Sequence, residues 1–141
     1  MAVTRIAING FGRIGRNAFK IANERSDLEI VAINDLTDTK TLAYLLKHDS
    51  NYGEYGRQVD FTEKELIIEG KPVKVLAEKD PENLPWRDLN IDVVIESTGF
   101  FTDKDGAGKH LTAGAKRVVI SGPTKSEGVD TIVLGTNDDK V

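Results

Sequence analysis

Ile6-Ala7-Ile8-Asn9-Gly10-Phe11-Gly12-Arg13-Ile14-Gly15-Arg16 is the stretch whose reading decides the fold. Three apolar residues make a short buried strand. Glycines at the G-x-G-x-x-G spacing make the turn after it, and the residues beyond open a helix. Each glycine has its own task. Gly10 can take backbone angles that a side chain forbids. Gly12, lacking a Cβ, lets a pyrophosphate approach the main chain, and Gly15 lets the helix lie close to the strand. The first amides of a helix have no internal partner and carry the positive end of its dipole, so those of Arg13 and Ile14 are candidate anion ligands. The Arg13 guanidinium is a secondary candidate.

About 20 residues past Gly15, Asp35 ends the next apolar run, Leu28 to Asn34. A carboxylate there accepts hydrogen bonds from both hydroxyls of an adenine ribose and repels a 2′-phosphate, which favours NAD over NADP. The glycine triplet alone fits an ordinary strand–helix turn, and Asp35 alone fits a cap for the next helix. Strand, turn, helix, strand and carboxylate in that order point to a dinucleotide site.

The remaining chain extends the alternation. Apolar residues at Ile14, Ala18, Ile21 and Ala22 predict a helix over 13–25 with those residues on its buried face. Asp38 or Thr39 is placed to cap a helix running through Leu42, Tyr44, Leu45 and Leu46. Val59 to Phe61, Glu65 to Ile68 and Val73 to Leu76 read as antiparallel strands, with a hairpin turn at Gly70-Lys71. Residues 81–89 read as a loop with at most one helical turn. Asp92 to Glu96 is another buried strand, Lys104 to Ala113 a helix, and Arg117 to Ile120 and Thr131 to Leu134 are the last strands. The expected architecture is α/β: an open, mostly parallel sheet with helices on both faces and an antiparallel strand insertion.

Composition narrows the function. With 141 residues the chain can bury a core without staples. A net charge of -4 argues against a general nucleic-acid binder. Zero cysteines exclude disulfides and thiolate metal sites, and no metal site is expected. The apolar stretch at Ile6 to Ile8 is broken at once by Asn9 and Gly10, so it is neither a signal peptide nor a membrane span, and a cytoplasmic protein is the default.

Several separate motifs resemble the amino-terminal half of glyceraldehyde-3-phosphate dehydrogenase. They are Asn9 to Arg16, Asn34-Asp35, Leu45-Leu46-Lys47-His48-Asp49-Ser50, Asp80 to Trp86, Glu96-Ser97-Thr98-Gly99-Phe100-Phe101-Thr102, Lys109-His110-Leu111 and Gly114-Ala115-Lys116. The resemblance implies that residues 1–141 are an NAD-binding domain of Rossmann type. It implies a cofactor site built from Gly10, Gly12, Arg13, Ile14, Asp35, Lys79, Thr98, Gly99 and Ser121. Arg13 and Ile14 would hold the pyrophosphate, Asp35 the adenine ribose, Lys79 would border the adenine, and Ser121 would lie on the nicotinamide side. Gly122 stands where the family has alanine. Lys79 also fits a solvated loop charge, and Thr98 and Ser121 also fit side chains that satisfy strand-end amides.

The same resemblance implies chemistry in which a cysteine attacks an aldehyde, hydride passes to the nicotinamide, and inorganic phosphate releases the acyl group. The family's cysteine and histidine would follow Val141, so no catalytic residue is assigned here, and the polypeptide by itself is expected to bind NAD without turning over aldehyde. His48 and His110 are expected to be structural. The implied partners of the whole enzyme are glyceraldehyde 3-phosphate, inorganic phosphate and, in a homotetramer, copies of itself. Two alternatives stay open: a stand-alone nucleotide-binding module, and a paralogue acting on erythrose 4-phosphate.

Overall fold

The computed structural model describes residues 2–141. In chain order the elements are β1 (Thr4–Asn9), α1 (Arg13–Ala22), β2 (Leu28–Asn34), α2 (Thr39–Lys47), β3 (His48–Asp49), β4 (Gly53–Glu54), β5 (Val59–Phe61), β6 (Glu65–Ile68), β7 (Lys71–Leu76), β8 (Val93–Glu96), α3 (Lys104–Thr112) and β9 (Arg117–Ile120). Single 3-10 turns form at Pro81–Asn83 and Asp138–Lys140. One sheet has the order β5-β6-β7-β2-β1-β8-β9, and β3 and β4 form a separate ribbon. Neighbours from β7 to β9 are parallel, whereas β5, β6 and β7 pair antiparallel. This is the expected Rossmann-type α/β sheet with its antiparallel insertion.

The sheet is covered on both sides because its strands are apolar on both sides. Ile6, Ile8 and Ile33 face a core with Phe19 and Ala22 of α1 and Leu42, Ala43 and Leu46 of α2. Ala7, Ala32 and Val94 face a second core with Trp86, Ile91, Ala113 and Ala115. A bulge in β2 keeps this division. Ile6 pairs with Ile30 but Ala7 pairs with Ala32, so Val31 is the extra residue. The added residue puts Ile30 and Ile33 on one face, where strict alternation would separate them.

The structure corrects four expectations. Helix α1 ends at Ala22 rather than Arg25, with Asn23 as its C-cap. Its buried stripe is Gly15, Phe19 and Ala22, while Ile14 and Ile21 are 55% and 67% exposed. Gly15 is the reason. A Cβ there would lie 2.1 Å from the Gly10 carbonyl oxygen, so the helix rests on the strand through its glycine and rotates both isoleucines outward.

The hairpin turn is Glu69-Gly70, not Gly70-Lys71. Ile68 pairs directly with Lys71, and both turn residues have positive φ (51° and 78°), as a two-residue primed turn requires. Thr131 to Leu134 is not a strand. Asn137 closes a loop there, its Nδ2 donating to the Thr131 carbonyl (2.8 Å) and its Oδ1 accepting from the Val133 amide (2.7 Å). Apolar composition cannot make a strand without a neighbouring edge to bond. The small ribbon β3–β4 also went unforeseen, because its strands have two residues each.

Candidate functional site

Strands β2, β1 and β8 run parallel and end together. Asn9 is in register with Asn34 on one side and Glu96 on the other. The chain leaves β1 for β2 on one flank and reaches β8 on the other, so their carboxyl ends form a topological switch point. A cleft of about 350 Å³ opens there. Of the residues predicted from sequence, Gly10, Gly12, Asp35, Lys79 and Thr98 line it. Arg13 and Ile14 are exposed at the start of α1, beside Gly12. Gly99 continues from Thr98 with a positive φ of 79°. Ser121 stands at the end of β9, exposed and outside the cleft lining, tied to β8 by its amide donating to the Glu96 carbonyl (3.0 Å).

The glycine turn behaves as its sequence demands. Gly10 has φ of 89°, and a Cβ on it would come within 2.8 Å of the Thr98 backbone nitrogen. Gly10 is thus both a conformational and a steric requirement. Around Gly12 an added Cβ would meet nothing within 4 Å. Here the glycine leaves space that no protein atom occupies. Gly12 is the N-cap of α1 and makes no side-chain cap bond. The first intrahelical bond runs from the Arg16 amide to the Gly12 carbonyl (2.9 Å), so the amides of Arg13, Ile14 and Gly15 precede it. The other two helices differ. Asp38 accepts from the Thr41 amide to cap α2, and Asp103 accepts from the Gly106 amide to cap α3.

Asp35 is half-buried and holds the turn itself. Its Oδ2 accepts from the Phe11 amide (2.8 Å) and its Oδ1 from the Thr37 amide (2.9 Å). The helix-cap alternative for Asp35 is removed, because Asp38 occupies that role. Thr98 does satisfy backbone in the way its alternative reading allows: its hydroxyl accepts from the Phe100 amide (3.1 Å) and donates to Glu96 Oε1 (2.6 Å).

Sequence reasoning missed the floor of the cleft. Asn9 and Asn34, both buried, line it together with Glu78. The available signal was a polar residue ending each of three apolar strands, visible only once the strands are known to be neighbours. Behind them lies Glu96, a buried carboxylate. Burial pushes its pKa up, but hydrogen bonds from His110, Thr98 and Asn9 together outweigh that and hold it below the usual glutamate range. His110 is fully buried against Glu96 and Trp86, whereas His48 lies exposed in a tilted stack on Tyr44. Among the described residues no group of acids and histidines is arranged to hold a metal ion, and no helix is long and apolar enough to cross a membrane.

This geometry suits a diphosphate-linked nucleotide, and comparison with known proteins gives the lineage. Residues 4–104 match the family described as glyceraldehyde 3-phosphate dehydrogenase, NAD binding domain. The chain belongs to that family. It is an NAD-binding domain. It is 55% identical over 141 residues to the glyceraldehyde-3-phosphate dehydrogenase of Thermotoga maritima, a match covering 99% of this chain and 42% of the relative. The enzyme of Geobacillus stearothermophilus is 54% identical over 140 residues (99% and 41%), and that of Borreliella burgdorferi 56% over 139 residues (95% and 41%). The chain therefore spans about two fifths of the length of the curated relatives it matches.

Proposed function

We propose that this chain supplies the cofactor site of a phosphorylating glyceraldehyde-3-phosphate dehydrogenase and that NAD lies across the carboxyl ends of β2, β1 and β8. The observation that carries the reading is the pairing of an uncapped helix start beside open space at Gly12 with a carboxylate, Asp35, directly after the next strand. The amides of Arg13 and Ile14 hold the pyrophosphate. Gly10 and Gly12 let it approach, and Asp35 binds the adenine ribose while its Oδ2 steadies the Phe11 amide. Lys79 borders the adenine. Thr98 and Gly99 form the wall after β8, and Ser121 marks the nicotinamide side.

When bound, NAD supplies the ring that accepts hydride. This chain's residues bind and orient it, and the 141 residues include no cysteine to act as nucleophile. We assign no catalytic residue to the chain. Oxidation of glyceraldehyde 3-phosphate with inorganic phosphate, a role in glycolysis, a homotetrameric assembly and a cytoplasmic location belong to the same proposal. They rest on the names of relatives that extend well beyond the matched region.

Calorimetry with NAD and NADP tests the site. NAD binds at least about tenfold more tightly, and Asp35→Ala loses about 1.5–3 kcal/mol of NAD binding as hydrogen bonds to a charged group vanish. Equal affinity for the two nucleotides overturns the assignment of Asp35.

A further inference from the structure

Asn9, Asn34 and Glu96 end three adjacent strands in register, and all three are buried. Their side chains form one connected unit with Glu96 at its centre. Glu96 Oε1 accepts from the Thr98 amide (3.0 Å) and hydroxyl (2.6 Å). Its Oε2 accepts from Asn9 Nδ2 (2.6 Å) and from His110 Nε2 (2.6 Å). Asn9 Oδ1 in turn accepts from Asn34 Nδ2 (2.8 Å). Asn34 closes a clamp on the Glu78 backbone, Nδ2 donating to its carbonyl (2.9 Å) and Oδ1 accepting from its amide (2.9 Å).

The two arms reach different walls of the cleft. Thr98 follows β8, and Glu78 follows β7, with β1 and β2 lying between those strands. Both residues line the cleft, and Lys79 comes directly after Glu78. One carboxylate therefore sets the relative placement of two loops that have no strand pairing with each other.

His110 fixes the carboxylate from behind. The Trp86 indole can only donate, and it donates to His110 Nδ1 (2.9 Å). Nδ1 is therefore the acceptor nitrogen, and the imidazole donates from Nε2 to Glu96. Asn9 Nδ2 and His110 Nε2 thus aim their hydrogens at one oxygen of Glu96, a convergence that favours the ionised carboxylate, while its other oxygen serves Thr98.

We infer that Glu96, held by His110, is a positioning residue for the nucleotide cleft, aligning Thr98 and, through Asn9 and Asn34, the Glu78–Lys79 backbone. The inference rests on the NAD reading above. A purely structural role would affect melting temperature alone. A positioning role makes affinity follow the donor to Glu96, whatever the cost in stability.

His110→Leu removes that donor, and His110→Gln replaces it with an amide N–H near the position of Nε2. Calorimetry with NAD, at a temperature where circular dichroism shows each variant folded, is expected to give His110→Leu an affinity weaker by about fivefold or more, with His110→Gln recovering most of the loss. A folded His110→Leu with wild-type affinity, or a His110→Gln no tighter than His110→Leu, overturns the inference while leaving the NAD site in place. Absence of NAD binding by the wild-type chain removes both.

If His110→Leu does not fold, the wild-type chain decides. Trp86 is its only tryptophan, so a single indole N–H resonance reports the far end of the network. That resonance is expected to shift as NAD saturates the chain, and an unmoved resonance overturns the inference.

Discussion

Helices α1 and α3 begin in opposite ways, and the difference separates structure from function. At α3, Asp103 folds back to accept from the Gly106 amide (2.7 Å), and Asp105 adds a second acid to the first turn. Asp38 does the same for α2. At α1 the cap is a glycine, the first turn carries no acid, and the space in front is open. A helix that only has to fold neutralises its own N-terminal amides. The helix facing the cleft has no such side-chain cap, and it is there that the proposed function places a ligand's negative charge.

The largest test of this contrast is steric. Gly15→Ala places a Cβ 2.1 Å from the Gly10 carbonyl oxygen. It is expected to destabilise the fold by about 3 kcal/mol in urea unfolding, at the upper end for overpacking, and to displace the glycine turn. An unchanged midpoint would mean that α1 does not depend on this close approach.

A sharper test makes α1 resemble α3. Gly12→Asp provides the missing cap at a position with φ of -78° and room for a side chain. It is expected to raise stability by about 0.5–1 kcal/mol while weakening NAD by about tenfold or more. Opposite signs in denaturation and calorimetry are the signature, and a variant with both properties unchanged breaks the comparison.

The reciprocal change is Asp103→Ala. It is expected to cost about 1 kcal/mol of stability in the same unfolding assay and to leave NAD affinity as it was. A large loss of affinity would show that α3's cap also serves the cleft.

The smallest effect is a pH dependence at α2. Hydrogen bonds from the Thr41 amide and hydroxyl hold Asp38 below the ordinary aspartate value. A depressed folded-state pKa gives stability that is present above the unfolded value of 3.8 and is lost as pH falls through the lower folded-state value. The stability gap between wild type and Asp38→Ala is therefore expected to narrow as pH drops below about 4. A gap constant through that range would remove the charged form from the cap.

Much of the cleft was legible in the sequence because its signals are local. Gly15 is demanded by the Gly10 carbonyl, which the strand–turn–helix order brings close, and Gly10 by the positive φ of the turn, although the Thr98 backbone that also crowds it comes from a distant strand end. Asp35 stands at the end of an apolar run. Legibility failed where partners are distant in sequence or where a residue's role depends on what it lacks. The buried face of α1 was misplaced because Gly15 counts as nothing in a hydrophobic pattern, yet it is the closest contact of that helix. Thr131 to Leu134 had strand composition, but Asn137 offered its backbone a nearer partner than any sheet edge.

Asp35 shows the division within one residue. Its position past the second strand marked it from sequence as a candidate ribose acceptor, and only the fold revealed that it also accepts from the Phe11 amide. The sequence alone determined the order of strands and helices, the glycine turn and the carboxylate beside it, because each follows from backbone conformation and short-range pattern. Only the tertiary structure decided that Asn9, Asn34, Glu96, His110 and Trp86 form one network. Hydrogen bonds between groups 14 to 87 residues apart exist only after parallel strands have brought their ends into register and α3 and the Trp86 loop have packed behind them.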